Sequence, residues 1–262
     1  MKSLKKPLRA NGLVSQHGWF EMNRFFVDEI NDGKARIKDG DFKHCKSVLR
    51  LQEGAEIYLV FDGKEYIGQI ASYETNSALC DIIKELEQTR EAGIEVSLYQ
   101  CIPKSSKMET IIQKNVEIGV KRIVPVISHR TVVKISEQSK EEKKLSRWNK
   151  ISEEAAKQSM RNVIPKVGPI FTFKQMIDDL KAFDRLIIVP YENEFGNSLK
   201  NIHIDRSDVC IVIGPEGGFE PYEIAELKLA GAHVVTLGPR ILRTETAGMV
   251  ASAICMYKTN NI

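Results

Sequence analysis

Two short apolar runs, Val209–Ile213 and His233–Leu237, each end in a Gly-Pro pair and lead through a short loop into a helical stretch. Strand, glycine loop and helix in that order put loop backbone at the carboxyl ends of neighbouring parallel strands, where α/β folds bind ligands. The first loop, Gly214-Pro215-Glu216-Gly217-Gly218, lets backbone come close to a ligand and take φ values that residues with a Cβ avoid. It is not a P-loop, because no Lys-Ser or Lys-Thr follows, and its glycines do not space as GxGxxG. Pro221 suits the first turn of the next helix and Glu223 its third position, whereas Glu220 is a poor N-cap. The second loop, Gly238 to Arg243, mixes Ile241 and Leu242 with Arg240 and Arg243 ahead of Thr244, the expected N-cap. That mixture suits a ligand with a flat apolar part and a charged part. One Gly-Pro turn after a buried strand is ordinarily only a turn; two of them on adjacent strands argue for a site.

The rest of the second half has the same character. Ile94–Ile102 reads as a buried strand, Lys107–Ile118 as an amphipathic helix closed by Gly119, and Ile123–Ile127 as the next strand, which together make a βαβ unit. Glu141–Met160 is the longest predicted helix, followed by a short helix at Phe173–Leu180, a strand at Leu186–Val189 and a last helix beyond Ala247. Residues 22 to about 91 differ. Phe25–Val27, Glu56–Phe61, Glu65–Tyr73 and Ser77–Ile83 are β-type runs, and Asp62-Gly63 is a hairpin signal. A short helix over Asp41–Leu49, with Phe42, Cys45, Val48 and Leu49 on one face, sits between them, and a small barrel-like β domain is the expected architecture. The charged stretch Glu85–Gly93 is the expected linker.

Bulk properties exclude several classes. The net charge of +3 is mild, so a nucleic-acid partner has to be met by local basic clusters such as Lys34, Arg36, Lys38, Lys43, His44, Lys46 and Arg50. Those cations read equally as a solvated surface or as phosphate contacts. Five scattered cysteines without CxxC spacing read as reduced, mostly buried thiols of a cytoplasmic protein, and the five histidines give no metal pattern. No apolar run is long enough to suggest a membrane helix. Residues 1–21 carry Lys2, Lys5, Lys6 and Arg9 without the apolar core of a signal peptide, and read as a basic extension.

The pair IGPEGGF and LGPRILRTETA resembles the signature of the RsmE family of the SPOUT superfamily. HCKSVLRLQEG resembles that family's N-terminal PUA-like domain, QKNVEIGV its QKATELGV-type segment, and AAKQSMR its EQSxR element. The resemblance implies an S-adenosyl-L-methionine-dependent methyltransferase acting on uridine N3 of 16S rRNA in the small ribosomal subunit. It implies an α/β fold: a PUA-like β-barrel over 22–92 and a trefoil-knotted SPOUT domain with a parallel sheet over 93–262, assembled as a homodimer. For the cofactor it implies the backbone of Pro190, Gly214, Pro215, Glu216, Gly217, Gly218, Leu237, Gly238, Ile241, Leu242, Thr246 and Ala247. For RNA it implies Arg24, Lys43, His44, Arg50, Lys104, Arg130, Gln158 and Ser159. Arg161, Arg240 and Arg243 are the expected catalytic groups, stabilising the uracil anion formed when N3 loses its proton. The acceptor of that proton is not assigned; Glu216 and Glu245 are the nearest carboxylates and water is an alternative. Cofactor binding is expected to tolerate change at side chains and not at glycines, with Gly217→Val abolishing it. A SPOUT enzyme with another RNA target and a non-catalytic RNA-binding protein are the competing readings, the second opposed by the intact loops.

Overall fold

Alternating apolar and polar residues in the first part of the chain become a curled, mostly antiparallel sheet. The computed structural model describes residues 22–87, 89–133 and 138–262, so the basic extension over 1–21 lies outside the described residues. The chain divides into two compact units, one up to Thr89 and one from Arg90. The first contains β1 (Arg24–Phe26), β2 (Ile30–Asn31), β3 (Lys34–Lys38), α1 (Asp39–Lys43), β4 (Glu56–Phe61), β5 (Lys64–Tyr73) and β6 (Ser77–Leu86). Its six strands run in the order β1-β4-β5-β6-β3-β2. At the β4–β5 turn Asp62 and Gly63 have φ of +49° and +74°, the paired positive values of a tight hairpin. The curl comes from register shifts between β5 and β6 at Ile67/Gly68 and Ile70/Ser72. At Gly68 a Cβ would stand 2.5 Å from Leu59 Cδ1, so only glycine fits where the strand bends.

The helix expected over Asp41–Leu49 is α1 followed by a π-helical turn at His44–Val48, with Leu49 N–H donating to His44 O at 2.9 Å. The wider π turn rotates Val48 out of the apolar face, leaving it 66% exposed while Cys45 stays buried.

Arg24, read as an RNA contact, is instead buried, its guanidinium ion-paired with the equally buried Glu65. β1 pairs in parallel with β4, which sets Arg24 opposite Tyr58 in the sheet and directs its side chain to an acid that needs a partner.

The second unit holds β7 (Glu95–Cys101), α2 (Lys107–Ile118), β8 (Arg122–Ile127), α3 (Gln138–Gln158), β9 (Lys166–Val167), β10 (Phe171–Thr172) and α4 (Phe173–Lys181). It continues with β11 (Leu186–Pro190), β12 (Asp208–Ile213), α5 (Pro221–Leu229), β13 (His233–Val235) and α6 (Thr244–Lys258). The sheet is parallel, in the order β10-β8-β7-β12-β11-β13, with β9 also on β8. β12 and β13 were expected to be adjacent, but β11 lies between them and pairs with both. From edge strand β13 the chain returns to the sheet's centre, where α6 packs on α2, β12 and β7. Gly248 permits that approach, since a Cβ there would meet Gln100 Oε1 at 3.2 Å. α2 ends as expected at Gly119, whose φ is +111°. Among the described residues no helix is long and apolar enough to cross a membrane.

Arg24→Ala strands the Glu65 charge and is expected to cost about 3–5 kcal/mol in urea unfolding, whereas the apolar pair Arg24→Met with Glu65→Leu should recover most of it. A loss below about 1 kcal/mol for the single variant would mean that the pair is effectively solvated.

Candidate functional site

Because β11, β12 and β13 are neighbours, their carboxyl-end loops open on one another and enclose a cavity of about 910 Å³. The wall is built from Pro190–Phe195, Ile213–Phe219, Thr236–Thr244 and Ala247, with Lys107 reaching in from α2. Its volume is near the upper end of the roughly 300–1,000 Å³ usual for small-molecule sites. Ile213, Phe219, Leu237 and Leu242 supply apolar surface, Glu192, Glu194 and Glu216 carboxylates, and Arg240 and Arg243 positive charge. Neither guanidinium has a hydrogen-bond or ion-pair partner among the described residues, so both are available to a ligand.

The glycine loop after β12 is tied down from three directions. Thr244 donates its hydroxyl proton to Gly214 O at 2.7 Å and accepts from Gln100 Nε2 at 2.9 Å. Glu216 accepts the backbone N–H of Lys104 at 2.9 Å. Arg130 donates to Gly217 O at 2.7 Å and grips both carboxylate oxygens of Glu220 at 2.8 Å. That grip, aided by His129, holds the Glu220 carboxyl below the usual glutamate range. Glu220 in turn caps α5 in a reciprocal box with Glu223, so the poor N-cap expected from its type is a functional one here. Thr244 is not the cap of α6. Arg243 occupies that position without a side-chain cap, and Thr244 spends its hydroxyl on the loop. At the opposite wall Glu192 lies against Gly218, where φ is +68° and a Cβ would fall 2.0 Å from Glu192 Oε1.

Comparison with known proteins gives these features a context. Residues 90–256 match an RNA methyltransferase domain family and residues 37–83 an RNA methyltransferase PUA domain. The ribosomal RNA small subunit methyltransferase E of Bacillus subtilis is 32% identical over 250 residues, covering 91% of this chain and 97% of its own. The chain belongs to the ribosomal RNA small subunit methyltransferase E family. The enzyme of that name from Mesomycoplasma hyopneumoniae is 34% identical, with 90% of this chain and 99% of its own covered. The Neisseria gonorrhoeae enzyme, solved bound to S-adenosyl methionine, superposes with a TM-score of 0.81 at 31% identity over 90% of this chain and 97% of its own. The RsmE resemblance is thereby borne out, and with it the fold: a PUA-like β unit and a SPOUT-type α/β unit with a parallel sheet.

Within this family fold the structure gathers some of the expected site residues and scatters others. Pro190, Gly214, Pro215, Glu216, Gly217, Gly218, Leu237, Gly238, Ile241, Leu242 and Ala247 line the cavity together with Arg240 and Arg243; Thr246, on the first turn of α6, does not. Arg161, expected to act on the reacting base, is 3% exposed and away from the cavity. Its guanidinium donates to Val116 O at 3.1 Å and Val120 O at 2.7 Å, closing the carboxyl end of α2, and pairs with Glu91. Carbonyls at a helix end attract a cation, and that local demand takes Arg161. Ser159 donates to Ala155 O at 2.7 Å, while Gln158 and Lys104 present exposed side chains. Arg130 is exposed and bonds the glycine loop at Gly217 O and Glu220. Lys43, His44 and Arg50 are exposed on the first unit, Arg50 with φ of +53°.

Sequence reading missed Gln100, Lys107 and the carboxylate of Glu194. Gln100 sits inside an apolar strand, and a buried amide there was the available signal. The described cysteines Cys80, Cys101, Cys210 and Cys255 are buried, which pushes their thiols up to about 12 and makes them inert. No cluster able to hold a metal occurs among the described residues.

Gly218 is the strained position of the loop, because its φ of +68° disfavours any side chain. A Cβ at Gly217 would make only ordinary contact with Arg130, at 3.4 Å, and the protein itself leaves room for it. Gly218→Ala is expected to displace Glu192 and weaken S-adenosylmethionine binding by about 100-fold in calorimetric titration, with Gly217→Ala milder. Equal effects would remove the conformational argument.

Proposed function

We infer that this chain transfers a methyl group from S-adenosyl-L-methionine to N3 of a uridine in the 16S rRNA of the small ribosomal subunit. One observation carries the reading: in a chain of this family, three strand-end loops converge on a single cavity whose wall is part apolar, part acidic and part free arginine. The residues present fit the cofactor. Gly218 takes φ +68°, which favours glycine, and without a side chain it leaves peptide groups facing the cavity there. Peptide groups suit the polar edge of an adenine, the apolar wall suits its faces, and the carboxylates of Glu192, Glu194 and Glu216 suit a cation.

When bound, S-adenosylmethionine supplies an electrophilic sulfonium methyl group, so the transfer is an in-line displacement at carbon. The chain's task is then to hold the two reactants collinear and to stabilise the charge that develops on the base. Arg240 and Arg243, on the same loop, stabilise the negative charge that spreads over the uracil as N3 gives up its proton. Two carboxylates near the cavity are held in their ionised form. Hydrogen bonds from Asn197 and Gly196 backbone N–H hold Glu194 below the usual range. Burial tends to raise Glu245, but its own backbone N–H, Lys107 and Arg243 leave it below that range.

Lys43, His44 and Arg50 on the PUA-like unit, with Lys104 and Gln158 on the other, serve as contacts that give affinity and register rather than sequence choice. A homodimer working in the cytoplasm, where small subunits are assembled, completes the reading.

Small subunits lacking the modification, incubated with labelled S-adenosylmethionine, are expected to yield 3-methyluridine by mass spectrometry of the digested rRNA. A different methylated nucleoside would move the chain to another substrate. Arg243→Ala should lower kcat by about 10²–10³ with cofactor affinity little changed; a weaker cofactor and an intact kcat would reassign that arginine.

A further inference from the structure

The outer rim of the cavity carries two large apolar side chains left open among the described residues: Phe195 is 85% exposed and Ile241 is 83% exposed. Scattered exposed apolar residues are ordinary. These two differ because they stand on facing strand-end loops, after β11 and after β13, and line one cavity. The Phe195 loop is also pinned on both sides of the ring. Glu194 accepts the backbone N–H of Gly196 at 2.8 Å and of Asn197 at 2.9 Å. Asn197 donates its amide to Val234 O at 2.9 Å and accepts Thr236 N–H at 2.7 Å. The chain thus holds an aromatic ring in water at a fixed place beside a charged, ligand-sized opening.

We propose that Phe195 is the stacking platform for the target nucleobase, with Ile241 against the base's other face. The inference rests on the methyltransferase reading and names the group that positions its second substrate. The cofactor and the base need different parts of one cavity. Phe219 and Ile213, 2% exposed each, line its inner part and suit the reactant that stays enclosed. The rim is left to the reactant that enters last and is attached to a polymer. A base drawn out of its stack loses the faces of its neighbours, and an aromatic ring replaces one of them. Arg240 and Arg243 flank Ile241 in the sequence, so the same loop offers charge next to the apolar contact. A flat base with an anionic backbone matches that combination.

The test uses the full-length protein, small subunits lacking the modification, and three variants. Phe195→Ala is expected to lower kcat/KM for the subunit by about ten- to a hundred-fold. The Kd for S-adenosylmethionine and the sedimentation coefficient should stay as in the wild type. Phe195→Trp should restore the rate and Phe195→Leu should not, since bulk without a π face does not stack. The added Trp fluorescence of Phe195→Trp should be quenched by an RNA hairpin bearing the target uridine and not by the same hairpin with an abasic site there. An unchanged kcat/KM for Phe195→Ala, or full rescue by leucine, overturns the proposal. So does a weakened cofactor Kd, which would give the ring to the cofactor, or altered sedimentation, which would give it to a contact between copies. A wild-type protein that methylates no subunit overturns the functional reading and this inference with it.

Discussion

The hydroxyl of Thr244 joins three separate pieces of the second unit. It donates to Gly214 O in the loop after β12, it accepts from Gln100 at the end of β7, and it belongs to the first turn of α6. Its single proton goes to Gly214, so Gln100 has to present its amide NH₂, and the direction of the chain of hydrogen bonds is set. Gln100 is fully buried and its Oε1 has no partner among the described residues. An apolar strand accepts such a cost where the geometry it enforces matters more than stability. Here the geometry is the approach of α6 to the central strands after the chain has gone out to the edge at β13.

The other tethers act on the same loop with charge instead of neutral bonds. Arg130 joins the Gly217 carbonyl to Glu220, and Glu220 caps α5, so the helix start and the loop move as one piece. A carboxyl held below the ordinary range keeps this arrangement above the usual glutamate value of 4.5 and loses it as the pH falls through the lowered one. The acidic wall on Glu192, Glu194 and Glu216 and the arginines on the second loop put charges of opposite sign on different parts of the cavity wall. A loop fixed at its carbonyls leaves few motions to arrest when a ligand arrives, which is what positioning catalysis requires.

Much of this was legible in the residues. The apolar runs, the amphipathic α2 with Gly119 at its end, and the Asp62-Gly63 hairpin depend on neighbours a few positions away, and local periodicity reports them. The glycine loops were legible for the same reason. What escaped depends on partners far along the chain. Arg24 and Arg161 look like surface cations until Glu65 and Glu91, 41 and 70 residues away, are folded against them. Strand order escaped too, because β11 inserts between β12 and β13 through crossovers that no local pattern records. Gly218 rather than Gly217 carries the positive φ, and Glu220 caps its helix while Arg130 and His129 grip its carboxylate. The N-capping rank of a residue type contains neither fact.

The central claim is that loops from three strands form one cofactor site, and amide hydrogen exchange of the full chain with and without S-adenosylmethionine tests it most directly. Added cofactor is expected to slow exchange together in 190–197, 214–219 and 236–247, at one common ligand concentration. Slowing confined to one of those loops, or appearing outside all of them, would contradict the account.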